Sequence, residues 1–536
     1  MHGLIRRIAV VSTALAISAA PLSVGAASTP GVPPAPALVR QLHGRELVNA
    51  VRSGGLSLTT SSAPNSGFSC PAERSTTGNV QVNCRAEDGS AQFPPSFQNE
   101  TTISAFGSKV VVGFNDDLVP NCCGVLNLSG YSVSTNGGHT FTDMGDVPWQ
   151  TDFHPLGDPS VTHDEHGNFY YSTLAFTQTD SLIGVYKMPA GSNTFQMMSM
   201  PVDLQGVQFL ADKDLLEVAT DNDGNTHFYI TWTYYNFDVS LVYGPVMLSD
   251  SSDGIHWRTT QVSRAPVCEP MTPGSHPVPA GQTVFVSWVE LDTPSCTSHP
   301  DATLGHQVMA TVDVATGHVK AITSIARTHG GGDRLADDCG PVPFEVISIS
   351  PTQYFRNPDI ASSTIDQNGT LYEIWNDRPA GPGGGNQNAT RIYISYSLDG
   401  NRTWSSPQVI SGSTSPNFMN DRVQPWLITD GDGLHAMWYE RVADPSGGPD
   451  LLRTDKADLT LATNSQGPRL LDGGERTLST VAFPVPRADA FGCYMGDYNQ
   501  IASSGHRRFV SWGDNRNTIT ISGAPVNDPD VFMQAY

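Results

Sequence analysis

The sequence contains seven units that share one pattern of strands and turns. Each unit starts with a short alternating strand and turns at a step rich in Asp, Asn and Gly. It then returns along a second strand that ends in an aromatic and an acidic residue. The units begin at Thr101, Gly157, Asp214, Ser275, Asn357, Val423 and Gly496. A spacing on the order of 55–80 residues accommodates a four-stranded antiparallel sheet with loops of varying length.

The repeat predicts sheets arranged in a ring. A single four-stranded sheet has two exposed edges and cannot bury both faces, whereas radial stacking covers the faces and protects the edges. We therefore predict an all-β fold, a seven-bladed β-propeller over residues 96–536. Six blades is the alternative count, because the fourth unit is the weakest, and a sandwich pair explains the repeat less well. The last unit ends one strand short, so residues before Thr101 are predicted to supply an outer strand that closes the ring.

Three units are followed by a hairpin with a polar turn. These hairpins read YSVSTNGGHTFTDMG at 131–145, MLSDSSDGIHWRTTQVS at 247–263 and ISYSLDGNRTWSSPQVIS at 394–411. In the last one, the oxygens of Ser397 and Asp399 can accept hydrogen bonds from turn amides. Gly400 can take the positive φ that a tight turn requires, and Trp404 can pack beneath the turn. The pattern predicts a hairpin held by its own side chains.

This hairpin pattern resembles the Asp box, also called the bacterial neuraminidase repeat, of sialidases and many other secreted β-propellers. The resemblance supports the propeller fold. It also implies an Arg-Ile-Pro step, three arginines that bind the sialate carboxylate, an Asp acid/base and a Tyr–Glu nucleophile pair. The nearest match is FRNPDI at 355–360, with Asn357 in the place of Ile, and it lies in the fifth unit instead of the first.

Charged residues cluster where the strands of a propeller would present them around the axis. Loops that enter the first strand of a blade and loops that leave its second strand lie on one face, and the polar hairpins lie on the other. The catalytic candidates on the axial face are Asp158, Asp421, Asp497 and Tyr498, and the substrate-binding candidates are Arg356, Arg378, Arg422, Arg441, Arg516, Asp214 and Glu440. His154 is a further acid/base candidate. The alternative for any one of these residues is a loop-bracing ion pair.

These residue types fit the cleavage of an acidic sugar. Arginine can bind a substrate carboxylate through two hydrogen bonds. Two carboxyl groups, or a tyrosine backed by one, can serve as acid/base and nucleophile. The sequence predicts a glycoside hydrolase or polysaccharide lyase that acts on an extracellular, acidic glycan or glycoconjugate. A non-catalytic propeller that binds carbohydrate or protein is the alternative.

The N-terminus and the charge indicate the compartment. Arg6 and Arg7, a short apolar segment and small residues up to Ala27 predict a secretory signal peptide over residues 1–27. Residues 28–95 are rich in Pro, Ser and Gly and are interpreted as a linker, part of which closes the ring. No later segment is apolar and long enough to span a membrane. A net charge of -23 argues against nucleic acid as a partner. We expect a secreted monomer.

Cysteine and metal-binding patterns complete the predictions. Export makes the eight cysteines disulfide formers, with Cys70–Cys84 and Cys268–Cys296 as the preferred pairs. The adjacent Cys122 and Cys123 either bond to each other or to different partners. We predict no cofactor and no zinc site. HDEHGN, TDNDGN and TDGDG resemble Ca²⁺ loops, yet the same residues are ordinary in hairpin turns.

Overall fold

The structure is a computed structural model. It describes residues 69–536 except residues 76, 86–97, 117–128, 149–152, 178, 207, 222, 237–242, 264–266, 269–273, 292–304, 333, 337–343, 351–352, 379–388, 412–419, 465–466, 486–493 and 522–523. The expected signal peptide lies outside the described residues. So do Cys122, Cys123 and Cys296, and the pairing of Cys268 with Cys296 stays a prediction.

The described elements are strands. The chain opens with β1 (Cys70–Pro71) and β2 (Val80–Gln81). The first sheet has β3 (Gln98–Phe106), β4 (Lys109–Asp116), β5 (Ser129–Ser134) and β6 (Thr142–Asp146). The second sheet has β7 (His154–Pro155), β8 (Ser160–His163), β9 (Phe169–Phe176), β10 (Asp180–Met188) and β11 (Gln196–Gln205). The third sheet has β12 (Phe209–Thr220), β13 (Thr226–Asn236) and, after the short β14 (Tyr243–Gly244), β15 (Val246–Ser251) and β16 (Arg258–Gln261).

Four more sheets follow, with one insertion. After β17 (Val267–Cys268), which pairs with β14, the fourth sheet has β18 (His276–Ala280), β19 (Thr283–Leu291), β20 (Gly305–Asp313) and β21 (Val319–Thr328). The inserted sheet has β22 (Arg334–Ala336), β23 (Phe344–Ser350) and β24 (Gln353–Arg356). The fifth sheet has β25 (Ser362–Ile365), β26 (Leu371–Asp377), β27 (Arg391–Ser397) and β28 (Gln408–Val409). The sixth sheet has β29 (Arg422–Asp430), β30 (Gly433–Val442), β31 (Leu451–Asn464) and β32 (Gly467–Thr477). The seventh sheet has β33 (Gln500–Ser504), β34 (Arg507–Ile521) and β35 (Ala524–Ala535).

These seven sheets form a closed ring. Their inner strands are β3, β8, β12, β18, β25, β29 and β33, and each contacts the inner strand of the next sheet, with β33 returning to β3. Within each sheet the strands pair antiparallel, in sequence order except that β7 and β8 of the second sheet both pair with β9. The prediction of a seven-bladed β-propeller is confirmed, and the six-bladed count is wrong, because the weak fourth unit forms a complete four-stranded sheet.

The aromatic residue that recurs in the second strands forms the core between blades. It is Trp232, Trp288, Trp375, Trp438 or Trp512 in the third to seventh sheets, and each of these side chains is buried. Trp438 of the sixth sheet packs with Tyr372 and Ile394 of the fifth. The aromatic residue recurs because it packs between neighbouring blades as well as within its own blade.

The N-terminal strands close the ring. β2 pairs with β35 as the outer strand of the seventh sheet, and β1 pairs with β6 of the first sheet. A disulfide between Cys70 and Cys84 joins the two ends of this segment, as its sequence spacing predicted. The segment therefore bridges the first and last blades of the propeller.

The polar hairpins connect the third and fourth strands of their sheets. In the hairpin between β27 and β28, Asn401 N–H donates to Ser397 Oγ at 3.1 Å and Thr403 N–H to Asp399 Oδ1 at 2.9 Å. Trp404 Nε1 donates to the Asn401 side chain at 2.9 Å. The turn is held by its own side chains, as predicted. The described part of the chain has no helix of the length and apolarity that crossing a bilayer takes.

Candidate axial site

Backbone irregularities aim several polar residues at the axis. Glu100, Asp158, Lys213 and Gln424 have φ values of 48°, 51°, 56° and 52°. Asp158 lies just before β8, and the other three lie within the first five residues of β3, β12 and β29, where the register of each strand shifts beside them. Non-glycine residues adopt this left-handed conformation rarely and at a cost, and bulges of this kind redirect side chains. Four blades therefore carry local strain at one structural position.

Lys213 is the centre of a charged group that we call the axial cluster: Glu100, Asp158, Lys213, Arg356, Tyr494 and Asp497. Its ammonium nitrogen lies 3.0 Å from Glu100 Oε1, 3.1 Å from Asp158 Oδ1 and 2.8 Å from Asp497 Oδ2. These three carboxyl groups come from the first, second and seventh blades. The side chains therefore meet where the blades converge.

Arg356 and Tyr494 complete the cluster. Arg356 binds Asp497 through two hydrogen bonds, of 2.8 Å to Oδ1 and 2.5 Å to Oδ2. Its guanidinium also lies 4.1 Å from the centre of the Tyr494 ring. The Tyr494 hydroxyl donates to Glu100 Oε1, and Asp497 N–H donates to the same oxygen at 3.2 Å. All of these side chains are buried.

Burial and charge balance favour one shared proton in the cluster. It has three carboxyl groups and two cations, so one proton makes it electrically neutral. Burial raises the pKa of Glu100 to about 8 against the opposing effect of Lys213. The pKa of Asp497 lies well below its ordinary value because Arg356 and Lys213 outweigh its burial. Burial also raises the pKa of Asp158, so the proton is favoured on Glu100 or Asp158 and disfavoured on Asp497.

Amide side chains surround the cluster and link the blades. Asn115 Nδ2 donates to Glu100 Oε2 at 3.0 Å, and Asn115 Oδ1 accepts from Asp158 N–H at 3.0 Å. Between the sixth and seventh blades, Asn499 Nδ2 donates to Gln424 Oε1 at 3.0 Å. These bonds fix the left-handed residues in place.

The structure brings together some of the candidates predicted from sequence. Asp158, Asp497 and Arg356 belong to the axial cluster. Tyr498 lies beside it, with its ring centre 5.9 Å from Lys213 Nζ, but its hydroxyl donates to the carbonyl of Pro159. His154 is buried in β7 of the second sheet.

The other candidates form separate groups. Asp421 pairs with Arg378 at 2.9 Å and with Arg441 at 2.8 Å. Arg422 pairs with Glu440 at 2.8 Å and with Glu475 at 3.0 Å. The remaining two are Arg516, which pairs with Asp514, and Asp214, which accepts from Ser172. Their described contacts are ion pairs and hydrogen bonds outside the axial cluster, so roles for them in a single pocket stay predictions.

Sequence reasoning missed Glu100 and Tyr494 and did not include Lys213 among the site residues. Glu100 is the residue just before the predicted start of the first unit at Thr101, so a unit boundary one residue earlier would have included it. Nothing around Tyr494 in CYMGDY signals its contact with Glu100, which is 394 residues away in sequence.

An open cavity of about 320 Å³ lies further along the same inner strands. Its lining includes His163, Glu217, His276, Ser363 and Trp426, and it does not include the axial cluster. The charged residues at one end of the channel and the cavity beyond them are therefore distinct features.

The turns that resemble Ca²⁺ loops use their carboxylates internally. Asp164 Oδ1 accepts from the N–H groups of His166 and Asn168, at 3.0 and 2.9 Å. Asp221 Oδ1 accepts in the same way from Asp223 and Asn225. The ordinary turn interpretation accounts for these motifs.

No protein-family model and no curated protein matches the sequence. Among solved structures, the chain is similar to the GH93 α-L-arabinofuranosidase of Fusarium graminearum with arabinobiose, at 11% identity and a TM-score of 0.41, over 70% of this chain and 96% of that one. It is also similar to the α-L-arabinanase of Penicillium chrysogenum, at 9% identity and a TM-score of 0.40, over 72% and 98%. The sialidase of Trypanosoma rangeli gives 10% identity and a TM-score of 0.38, over 72% and 58%. At these values, function has to be argued from the site.

Proposed function

We propose that the protein is a secreted glycoside hydrolase whose catalytic residues belong to the axial cluster. The observation that carries the proposal is the convergence of two carboxyl groups, Glu100 and Asp497, on Lys213, with the pKa of Glu100 raised and that of Asp497 lowered. Lys213 Nζ lies 3.0 Å from one and 2.8 Å from the other, so the two oxygens are at most about 6 Å apart, and retaining glycosidases place their two carboxyl groups about 5–5.5 Å apart.

The charges suit the two roles of this reaction. Glu100, with its pKa raised to about 8, is protonated at neutral pH and donates that proton to the departing sugar oxygen. Asp497 remains ionised because of Arg356 and Lys213, and it attacks or stabilises the positively charged sugar carbon. The left-handed backbone at Glu100 is the kind of strain that accumulates at functional sites.

Tyr494 offers a second version of the same chemistry. Its hydroxyl donates to Glu100, which is the type of Tyr–Glu pair that the sialidase resemblance implies. In that version the proton of the cluster lies on Asp158, whose pKa burial also raises. Asp158 is then the acid, and Glu100 is the ionised base that takes the proton of the nucleophile Tyr494. Tyr494→Phe separates the two, because it abolishes turnover only if the hydroxyl attacks.

The charge of the substrate stays open to experiment. An acidic carbohydrate was predicted from the abundance of arginine, but Arg356 and Lys213 already pair with carboxylates. A panel of neutral and acidic glycans, followed by product analysis for hydrolysis or elimination, tests substrate and reaction together. We expect Glu100→Gln and Asp497→Asn to lose at least about 10²-fold in kcat. Asp203→Asn, a change on an exposed outer strand, should be fully active.

A propeller that binds without cleaving is the second candidate. It is favoured by the burial of the axial cluster, in which every charged group has an ion-pair or hydrogen-bond partner. A wild-type protein that binds a glycan and releases no product from any panel member would support it and exclude the hydrolase.

A further inference from the structure

All seven blades contribute to the cavity that lies along the inner strands beyond the axial cluster. Its lining takes residues from β3, β8, β12, β18, β25, β29 and β33, so the cavity belongs to the central channel of the propeller. We call it the channel cavity. Ligand pockets have volumes of about 300–1,000 Å³. With a volume of about 320 Å³, the channel cavity has room for one small molecule.

Glu217 and His276 form the polar centre of the channel cavity. Glu217 Oε1 lies 3.9 Å from His276 Nε2, which is longer than a hydrogen bond. The Glu217 side chain is 35% exposed, whereas that of His276 is 6% exposed. The other carboxylate oxygen, Glu217 Oε2, accepts from Thr162 Oγ1 at 3.4 Å. One carboxylate oxygen and one ring nitrogen are thus neighbours in the lining without being bonded to each other.

Two other blades fix the orientation of the His276 ring. Ser363 N–H, from the fifth blade, donates to His276 Nδ1 at 3.0 Å. A ring nitrogen that accepts a hydrogen bond carries no proton, so the proton of this ring lies on Nε2, next to Glu217. The ring also stacks on Trp426 of the sixth blade, with 5.1 Å between the ring centres. The cavity therefore presents a fixed N–H donor beside a carboxylate acceptor.

The charge of the lining excludes other classes of ligand. Glu217 is the one carboxylate among the described lining residues, and none of them is a lysine or an arginine. Burial lowers the pKa of His163, the second histidine of the lining, so this ring is neutral. An anionic ligand would therefore meet a carboxylate and no cation. Among the described residues, no third His, Cys, Asp or Glu side chain completes a metal site with Glu217 and His276.

We propose that the channel cavity binds one neutral sugar residue, with a hydroxyl group of the sugar held between Glu217 and His276. A hydroxyl group donates one hydrogen bond and accepts another, so it can bridge the two side chains at about 2.8 Å from each. An ammonium group could bind Glu217 but has no lone pair for the His276 N–H, and a carboxylate could bind only His276. The lining also includes Val278, Ile365 and Ile428, which can cover the C–H groups of a sugar ring.

This site is separate from the proposed catalytic residues. Trp426 lines the channel cavity and packs against Tyr498, with 6.3 Å between the ring centres. Tyr498 in turn lies beside Lys213, and neither of these two residues belongs to the lining. Sugar binding in the channel cavity therefore does not depend on the hydrolase activity, and either proposal can fail while the other stands.

Isothermal titration calorimetry of the whole protein tests which ligands bind. The neutral sugars are glucose, galactose, mannose, xylose and arabinose, and galacturonic acid and glucosamine are the charged members of the panel. We expect saturable binding of at least one neutral sugar. Galacturonic acid should bind at least about 10-fold more weakly than the best neutral sugar, because its carboxylate would lie close to that of Glu217. Glucosamine should bind no more tightly than the best neutral sugar.

Substitutions of Glu217 locate the bound sugar. Glu217→Ala should weaken binding of the best sugar at least about 10-fold, and Glu217→Gln, whose amide oxygen still accepts a hydrogen bond, should weaken it less. Both variants should keep the Tm of the wild type, because the side chain is partly exposed. Glu165→Ala is the matched control, because Glu165 is exposed on a turn outside the lining, and it should bind the sugar as the wild type does. Glu100→Gln should also retain the sugar, because Glu100 does not line the cavity.

Three results would overturn the proposal. The first is a wild-type protein that binds no neutral sugar, and the second is an acid or an amine as the tightest ligand of the panel. The third is a Glu217→Ala variant that binds the sugar as tightly as the wild type. A sugar that is lost in Glu100→Gln and retained in Glu217→Ala would lie at the axial cluster instead. Sugar binding that depends on Glu217, in a protein that cleaves no glycan, would support this site and refute the hydrolase.

Discussion

Replacing Lys213 with methionine tests the electrostatics of the axial cluster. The change keeps a side chain of similar length and removes the ammonium group that contacts Glu100, Asp158 and Asp497. Removing one partner of a buried ion pair costs about 3–5 kcal/mol, because the other charge stays buried and unpaired. With Arg356 still bound to Asp497, we expect the free energy of unfolding at pH 8 to fall by this amount.

The loss should grow with pH. A carboxyl group whose folded-state pKa is raised, as that of Glu100 is to about 8, contributes stability below its ordinary pKa and loses it as pH rises through the folded value. Without Lys213 this pKa rises further, so the folded variant retains protons that the wild type releases. Each extra proton adds about 1.4 kcal/mol of deficit per pH unit. The pKa of Lys213 itself lies above its ordinary value, so its own titration falls above pH 10.

Guanidinium chloride denaturation at pH 5, 7 and 9 measures this slope. Lys320→Met is the matched control, because Lys320 is half-exposed and pairs with Asp313 on the surface. It should leave the unfolding midpoint unchanged at every pH. A Lys213→Met deficit that is the same at pH 5 and pH 9, or no larger than that of the control, would refute the assignment of a shared proton to the cluster.

Three further substitutions test the fold. Gly331→Ala would place a Cβ 2.0 Å from Asn376 Nδ2 and should lower the free energy of unfolding, measured by chemical denaturation, by about 1–3 kcal/mol. Gly431→Ala is the control, because no atom lies within 4 Å of its Cβ position, and it should leave that free energy unchanged. Equal effects of the two substitutions would contradict the close contact at Gly331. Trp438→Ala should lower the free energy of unfolding by about 3–5 kcal/mol through the cavity it leaves between two blades, and a loss below 1 kcal/mol would count against that packing. Cys84→Ser opens the disulfide that joins the N-terminal strands and should lower stability by about 3 kcal/mol. Dithiothreitol should then destabilise the wild type more than the variant, by about the same amount.

The ring of blades could be predicted because the sequence pattern that specifies it lies within each repeat unit. Alternating strands, Gly-containing turns and one aromatic residue per second strand recur along the chain, and each reports the same contact between blades. The Cys70–Cys84 bond was also accessible, since its two residues close a short loop.

The site could be predicted only in part, because its geometry depends on register. Asp421 and Arg422 are neighbours in sequence, yet Asp421 pairs with Arg378 and Arg441 while Arg422 pairs with Glu440 and Glu475. Successive residues of a strand point to opposite faces, so a list of charged residues near a strand end mixes two surfaces. The sequence around Glu100 also contains no signal for the β-bulge that directs its side chain toward the axis.

The proton that would make Glu100 a catalytic acid also links activity to stability. Burial raises the pKa of Glu100, Glu373, Asp455 and Asp530 to about 8 in each case. All four groups favour the folded state most at low pH and lose that contribution as pH rises toward 8. Surface turn carboxylates such as Asp399, whose pKa is lowered to about 2, change the stability only in acid, far below the pH range in which Glu100 titrates. A hydrolase built this way should therefore lose stability progressively from the ordinary pKa of these carboxyl groups up to about pH 8, and should lose its catalytic acid only at the upper end of that range, near pH 8. If kcat instead fell several pH units below pH 8, the acid would have to be a group other than Glu100.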